Sequence, residues 1–172
     1  MNSSDTMTRQ TEATLHLLCG NVASGKSTLA ERLASQQGTV LLQEDALLFG
    51  LYVEEMATLK DFMRCSQRLR RTMSPHIVAL LRSGMSVVLD FHANTRQSRR
   101  WMRTLIDEAG CRHQLHYFDT PVEVCRARLR LRNASRTHEF TVSEEDFDRI
   151  AAHFEVPGKD EDFNLKVHSV GD

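Results

Sequence analysis

The sequence predicts a three-layer α/β fold, in which a five-stranded, mostly parallel sheet carries helices on both faces. Short apolar segments alternate with longer segments of helical periodicity, which is typical of βαβ units and a parallel sheet. The chain has 172 residues, the length of one domain, and 41% of them are hydrophobic, which allows a sizeable core. Charged residues make up 26%, which is ordinary for a globular protein and argues against a disordered or fibrous chain.

The elements follow from these patterns in chain order. Residues 1–13 are polar and predict a flexible leader, and residues 14–172 predict a single domain. The apolar runs predict strands at residues 15–19, 39–42, 86–89, 113–118 and 165–168. The helical patterns predict helices at residues 26–36, 58–83, 97–109, 121–132 and from 143 onward. Residues 46–56 are ambiguous, and Pro75 could divide the long second helix into two pieces.

Residues that commonly begin or end helices support these boundaries. Gly38, Gly84 and Gly110 each stand just after a helical pattern, where glycine often ends a helix. Pro121 suits the first turn of the helix that follows it. Ser143 precedes three acidic residues, which the helix dipole favours in a first turn.

Composition also bears on where the chain works. No stretch is long and apolar enough to predict a membrane span, and the amino-terminal residues lack the apolar core of a signal peptide. The four cysteines lie far apart and form neither a CxxC pair nor a cysteine–histidine cluster. We therefore expect a cytoplasmic protein with reduced cysteines and neither a zinc site nor a disulfide framework.

The net charge of −1 conceals three unequal blocks. Residues 1–59 carry a net charge of −4, residues 60–136 carry +10, and residues 137–172 carry −7. Of the 22 basic residues, 18 are arginine, whose planar guanidinium suits bidentate contact with phosphate. The basic middle block indicates a protein that handles phosphorylated or anionic material. The alternative is that these arginines face solvent or pair with the acidic carboxyl-terminal block.

The most specific motif lies between the first strand and the first helix. It fits G-x-x-x-x-G-K-[ST] without a mismatch and consists of Gly20, Asn21, Val22, Ala23, Ser24, Gly25, Lys26 and Ser27. Glycines let the backbone curl around a phosphate, whose charge the inward-pointing N–H groups and the helix amino terminus stabilise. This P-loop predicts that Lys26 reaches the β- and γ-phosphates of ATP, that Ser27 binds Mg²⁺, and that Thr28 joins the nucleotide site.

Asp90 ends the predicted strand Ser86–Leu89 and is a candidate partner for the metal. A buried strand that ends in a carboxylate is the Walker-B arrangement, and such a strand lies beside the P-loop strand. We expect Asp90 to hold Mg²⁺ or a water molecule on it. The alternative is an aspartate that only caps the following loop.

Asp45 follows the second strand and is a candidate catalytic base. Ligands of open parallel sheets bind at the carboxyl ends of the strands, so a carboxylate there could take a proton from an attacking hydroxyl. Asp45 could equally cap a helix that starts at Ala46. Glu44 is the alternative base.

Arginines stabilise the charge of a transferring phosphoryl group, and two groups qualify. Arg128 and Arg132 share a helix face, and Arg136 follows them in a polar segment, about residues 133–142, that could form a lid over ATP. Arg96 and Arg99 open the helix after Asp90 and are weaker candidates. The acidic segment at residues 158–162 could meet a cationic substrate or be a solvated linker.

With these motifs in this order, roughly residues 15–168 resemble the small P-loop kinases. That group contains polynucleotide 5′-kinase domains, chloramphenicol phosphotransferase, zeta-type toxins and uncharacterised bacterial "AAA family ATPase" proteins. The resemblance implies a P-loop NTPase fold, ATP and Mg²⁺, and transfer of the γ-phosphoryl group to a hydroxyl. By position, Asp45 matches the family's catalytic base, and Arg128 and Arg132 match the arginines before and in its lid.

Three hypotheses follow for the function. The first is a kinase that phosphorylates a small-molecule hydroxyl, including a toxin that acts on a nucleotide sugar. The second is a polynucleotide 5′-hydroxyl kinase, which the basic block supports but the sparse aromatic residues, 6% of the chain, do not. The third is a non-catalytic switch that ATP orders for a partner. The sequence specifies neither the acceptor, nor ATP over GTP, nor the oligomeric state.

Overall fold

The computed structural model describes residues 13–135 and 141–169. The strands are β1 (Thr14–Cys19), β2 (Thr39–Gln43), β3 (Ser86–His92), β4 (Arg112–Asp119) and β5 (Leu165–Ser169). The helices are α1 (Lys26–Ala34), α2 (Glu44–Tyr52), α3 (Leu59–Arg82), α4 (Arg96–Ala109), α5 (Val122–Ser135) and α6 (Glu144–Ala152), with short 3₁₀ turns at Val53–Glu55 and Lys159–Glu161.

The five strands form one sheet in the order β2-β3-β1-β4-β5, and every neighbouring pair is parallel. Leu15 and Leu17 of β1 pack into a large core together with residues of α3 and α4, whereas Leu18 packs against Leu29 and Ala30 of α1 on the opposite face. A parallel sheet covered on both faces explains why the central strands are almost continuously apolar. The predicted three-layer α/β fold is therefore confirmed.

Two stretches that the sequence leaves open are helical. Residues 44–52 form α2, which begins at Glu44 with Gln43 as its N-cap, so Asp45 is not the cap of a helix starting at Ala46. The helix α3 runs unbroken through Pro75, so the suggested division there is wrong. Proline removes the bond to the carbonyl of Arg71, but Pro75 and Arg71 are both exposed, and that carbonyl can be hydrated instead.

Three histidines on adjacent strands form a row across one face of the sheet. Nδ1 of His16 lies 3.2 Å from Nε2 of His116, and Nδ1 of His116 lies 3.0 Å from Nε2 of His168. Burial, followed by the positive charges of His16 and His168, lowers the pKa of His116 to about 3. The row therefore links β1, β4 and β5, and its central imidazole, His116, is neutral at pH 7.

All four cysteines are free thiols, as predicted. In the described part of the chain, no helix is both long and apolar enough to traverse a bilayer. The predicted lid lies partly outside the described residues, which leave out 136–140 and therefore Arg136. On either side of this gap, Asn133 Nδ2 donates to the Val142 carbonyl at 2.8 Å.

Candidate functional site: the P-loop and the carboxyl edge of the sheet

The P-loop connects β1 to α1 through a backbone that only certain residues can adopt. Gly25 has a φ of +107°, a conformation that favours glycine, and Ala23 is also left-handed at +62°. At Gly20 a Cβ atom would lie 2.7 Å from Ser24 Oγ and 2.9 Å from Phe118 Cβ. The motif glycines are thus required by the shape of the loop.

Lys26 lies folded back over this loop. Its Nζ donates to the carbonyls of Gly20 at 2.8 Å and Asn21 at 2.6 Å, and the residue is only 7% exposed. Burial lowers the pKa of Lys26, whereas the nearby carboxylate of Asp90 raises it. The loop thus holds one buried amine whose partners in this structure are backbone carbonyls and which lies close to two carboxylates, Asp90 and Asp45.

Ser27 and Asp90 form the predicted oxygen pair. Asp90 lies on β3, which pairs directly with the P-loop strand β1, and its carboxylate lies near the Ser27 side chain. Burial raises the pKa of Asp90, and the Ser27 hydroxyl and the charge of Lys26 oppose that rise. A hydroxyl and a carboxylate are ligands that Mg²⁺ accepts, so these two residues fit the metal.

Asp45 lies in the first turn of α2, at the carboxyl edge of the sheet. Its side chain is 55% exposed, and its Oδ1 lies 3.8 Å from Nε2 of His92 at the end of β3. Burial would raise the pKa of Asp45, but the neighbouring imidazole of His92 and the charge of Lys26 lower it overall. Asp45 is therefore an ionised, accessible carboxylate, close enough to Lys26 to interact with it electrostatically.

The alternative base, Glu44, is placed quite differently. It is fully buried, and its carboxylate accepts hydrogen bonds from the Ser66 hydroxyl, from Arg70 Nε at 3.0 Å and from the His92 backbone N–H at 3.3 Å. A carboxylate with these partners is not free to receive a proton from a substrate. Between the two adjacent carboxylates the geometry favours Asp45, and Glu44 instead joins α2, α3 and β3.

The arginines of α5 divide between two faces. Arg128 Nη1 lies 3.5 Å from the Ser24 carbonyl of the P-loop, and Arg132 is close enough to Asp45 to interact electrostatically. Burial lowers the pKa of Arg132, and its Nε is buried without a hydrogen-bond partner in the described structure. Arg126 and Arg130 point the other way, to Glu144 of α6.

The arginines of α4 do not face the P-loop amine. Arg99 is fully buried and donates to both carboxylate oxygens of Glu161, at 2.7 and 2.9 Å, and Arg96 pairs with Asp160. The acidic segment at residues 158–162 is therefore neither a solvated linker nor a site for a cationic substrate. It belongs to the α6–β5 connection, residues 153–164, which packs against α4.

Two residues near the P-loop were missed by the sequence analysis. Asn94, buried at the start of the β3–α4 connection, accepts a hydrogen bond from the Gly20 N–H at 2.9 Å through its Oδ1. His92, at the end of β3, has its Nε2 3.8 Å from Asp45 Oδ1. Their position within four residues of Asp90 is the signal that could have found them, because the ends of parallel strands gather at one edge.

This fold and P-loop define the class of the protein, an α/β P-loop NTPase. Residues 15–157 match the AAA domain family, and since this is most of the chain, the protein belongs to that family. The predicted resemblance to the small P-loop kinase group is confirmed. No curated protein matches the chain in sequence.

Solved structures with the same fold include several kinases. The structure of Mycobacterium tuberculosis APS kinase CysC in complex with AMPPNP and APS is 22% identical, with a TM-score of 0.62 over 94% of this chain and 90% of that one. Chaetomium thermophilum Kti12 in complex with ADP-AlF3 is 19% identical, with a TM-score of 0.69 over 92% and 90%. A sugar kinase from Janibacter sp. is 17% identical, with a TM-score of 0.62 over 94% and 87%. At these identities the likeness shows the fold.

Proposed function

We propose that the protein is an ATP- and Mg²⁺-dependent phosphotransferase that moves the γ-phosphoryl group to a hydroxyl of a small molecule. The observation that carries this proposal is the position of Asp45, an accessible carboxylate in the first turn of α2 at the carboxyl edge of the sheet, which interacts electrostatically with Lys26. A P-loop alone fits any nucleotide-binding protein. A free carboxylate on the acceptor side is what a hydroxyl-phosphorylating enzyme requires in addition.

In this proposal the P-loop N–H groups from Asn21 through Thr28 bind the phosphates, since the Gly20 N–H already donates to Asn94. Lys26 exchanges its loop carbonyls for the β- and γ-phosphate oxygens, and Arg128 and Arg132 neutralise charge on the moving group. The unpartnered Nε of Arg132 supports this role, because a buried donor without an acceptor is costly unless a ligand satisfies it. Mg²⁺, held by Ser27 and Asp90, would neutralise charge between the phosphates.

Asp45 would act on the acceptor. Its carboxylate accepts the proton of the substrate hydroxyl while that oxygen bonds to the γ-phosphorus, and the bond to the bridging oxygen of ADP breaks. A lowered pKa keeps Asp45 ionised, and thus able to accept a hydrogen bond, at neutral pH. The AMPPNP and ADP-AlF3 complexes of the two related structures support nucleotide binding at this fold.

The charges of the middle block favour a small acceptor over a nucleic acid. Arg70, Arg96, Arg99, Arg126 and Arg130 all pair with carboxylates of this chain. Those internal pairs reduce the net positive surface that a nucleic acid backbone needs. The free thiols also fit the reduced, cytoplasmic location that we propose.

Two measurements test the proposal. Calorimetry at millimolar Mg²⁺ should detect binding of ATP or GTP, and nucleotide consumption should rise when the right hydroxyl compound is offered from a panel of sugars, nucleosides and hydroxyl-bearing antibiotics. Lys26→Ala should lose binding and transfer. Asp45→Asn should bind ATP normally and lose about 10²- to 10⁴-fold in kcat. Asp107→Asn, an exposed carboxylate on α4, is the matched control and should match wild type.

The variants also separate the alternatives. If Asp45→Asn keeps full biological activity while Lys26→Ala loses it, the protein is a nucleotide-dependent switch and the kinase proposal is wrong. If single-stranded oligonucleotides bind and are phosphorylated in a strongly salt-dependent way, the acceptor is a polynucleotide. Failure of the folded protein to bind any nucleoside triphosphate would overturn the whole assignment.

A further inference from the structure

Asn94 touches no group that we have assigned to substrate, yet it bonds to the first residue of the P-loop. We propose that Asn94 is a positioning residue, which fixes the first peptide group of the P-loop and so keeps the loop in the conformation that receives a triphosphate. The role toward the triphosphate rests on the proposed function. The hydrogen bond itself is a property of the unliganded protein.

The hydrogen bonding between β1 and β3 continues beyond the ends of the two strands. The last backbone hydrogen bond between the two segments runs from the Ala93 N–H, just after β3, to the Leu18 carbonyl of β1 at 3.2 Å. The next N–H along the loop that needs an acceptor is that of Gly20, and the side-chain oxygen of Asn94 supplies it at 2.9 Å. Asn94 thus continues the hydrogen bonding between the two strands past the point where they end.

The backbone of Gly20 is held by hydrogen bonds on both its N–H and its carbonyl. Gly20 is buried, its N–H is held by Asn94, and its carbonyl accepts from Lys26 Nζ at 2.8 Å. Ser24 and Phe118 lie so close that a Cβ on Gly20 would meet them at 2.7 Å and 2.9 Å, so this side of the residue is closely packed. Its orientation therefore determines where the Lys26 ammonium is held before nucleotide arrives.

Asn94 is itself held in place by the α6–β5 connection. The backbone carbonyl of Asn94 accepts a hydrogen bond from the Glu155 N–H at 2.9 Å, so the α6–β5 connection fixes the backbone of Asn94. Arg99 Nη1 joins both sides of this contact, donating to the Ala93 carbonyl at 2.9 Å and the Glu155 carbonyl at 2.8 Å. Asn94 is thus a rigid support, and the α6–β5 connection takes part in the nucleotide site without touching nucleotide.

Replacing Asn94 by leucine keeps a similar volume and removes the acceptor. The buried Gly20 N–H then lacks a partner, and the loop must shift to find water or another oxygen. A loop that is no longer preorganised binds its anion more weakly. We expect the Kd for AMPPNP in the presence of Mg²⁺ to rise about tenfold. The urea concentration at the midpoint of unfolding should change little.

Wild-type protein already allows a direct test by NMR spectroscopy. A scalar coupling across the hydrogen bond should join the Gly20 amide nitrogen to the side-chain carbonyl carbon of Asn94. Its absence, under conditions where couplings across backbone hydrogen bonds of β1 are seen, would overturn the proposal. Because this measurement needs no substitution, it decides the matter even if Asn94→Leu does not fold.

Amide hydrogen exchange without nucleotide is the second readout. The Gly20 amide should exchange at least tenfold faster in Asn94→Leu than in wild type, and it should stay protected in Asn94→Asp, which keeps the acceptor oxygen. Asn164→Leu is the matched control, because it removes a side-chain bond to the His113 carbonyl at the β4–β5 side. It should change neither Gly20 exchange nor AMPPNP binding. Unchanged Gly20 exchange in Asn94→Leu would contradict the role assigned to Asn94.

Calorimetry with AMPPNP separates this inference from the proposed function. If wild type and Asn94→Leu bind AMPPNP equally well, Asn94 is not a positioning residue and the proposed function stands. If wild type binds no nucleotide, the proposed function fails, and the exchange data still decide whether Asn94 holds Gly20. A tenfold weaker affinity together with faster Gly20 exchange in Asn94→Leu supports the inference.

Discussion

Replacing Arg99 by methionine should lower the free energy of unfolding far more than its place among the polar residues of α4 would indicate. Arg99 is fully buried, and it donates to both oxygens of Glu161 and to the carbonyls of Ala93 and Glu155. Methionine keeps most of the aliphatic volume and leaves a carboxylate and two carbonyls without their donor. Removing one partner of a buried ion pair costs about 3–5 kcal/mol. We expect about 3 kcal/mol, because the Glu161 side chain keeps 9% exposure and can be partly hydrated.

Urea unfolding followed by circular dichroism measures this cost. Arg96→Met is the matched control, since the Arg96–Asp160 pair lies on the same helix and the same connection but is 41% and 65% exposed. That substitution should leave the unfolding midpoint almost unchanged. The additional substitution Glu161→Gln should recover part of the loss in Arg99→Met, because it removes the orphaned charge. If Arg99→Met and Arg96→Met have equal midpoints, our account of the buried pair is wrong.

Three further predictions follow from the structure. The contribution of His116 to the free energy of unfolding should be constant well above pH 6.5 and fall as pH drops toward 3. The loss should be about 1.4 kcal/mol at pH 5.5, because the unfolded chain binds a proton that the buried imidazole does not. His116→Leu should flatten this part of a pH series of urea titrations. Gly20→Ala should weaken ATP binding in calorimetry, since a Cβ there meets Ser24 and Phe118. Gly50→Ala, in α2 where a Cβ meets nothing within 4 Å, should instead raise the free energy of unfolding by about 0.5–1 kcal/mol and leave ATP binding unchanged.

The sequence predicts the sheet and the P-loop well because both depend on local patterns. The spacing from Gly20 to Ser27 and the apolar run before Asp90 are readable without tertiary contacts, and all five strands lie where the pattern puts them. The continuous helix through Pro75 was not predictable from propensity. The helix can continue because the Arg71 carbonyl is exposed to water, and only the packing of α3 determines that exposure.

The candidate site was predictable in its P-loop half and not in its surroundings. Arg99 and Arg128 are both arginines on amphipathic helices, and nothing local distinguishes the one that ties down a connection from the one that lies against the P-loop. The same holds for Glu44 and Asp45, which are adjacent in sequence and differ because α2 begins one residue before Asp45. Helix register and the return of a distant segment decide these roles, and both are tertiary effects.

The contact between Glu155 and Asn94 has a consequence for the order in which a newly made chain matures. Every residue of the P-loop leaves the ribosome well before residue 155 is translated, and so do Asp45 and Asp90. The support behind Gly20 forms only when the α6–β5 connection arrives and closes over Ala93 and Asn94. If Asn94 supports Gly20 as we propose, a nascent chain would carry the complete motif before it could bind nucleotide at full affinity, and that affinity would arise only once the segment around residue 155 had folded.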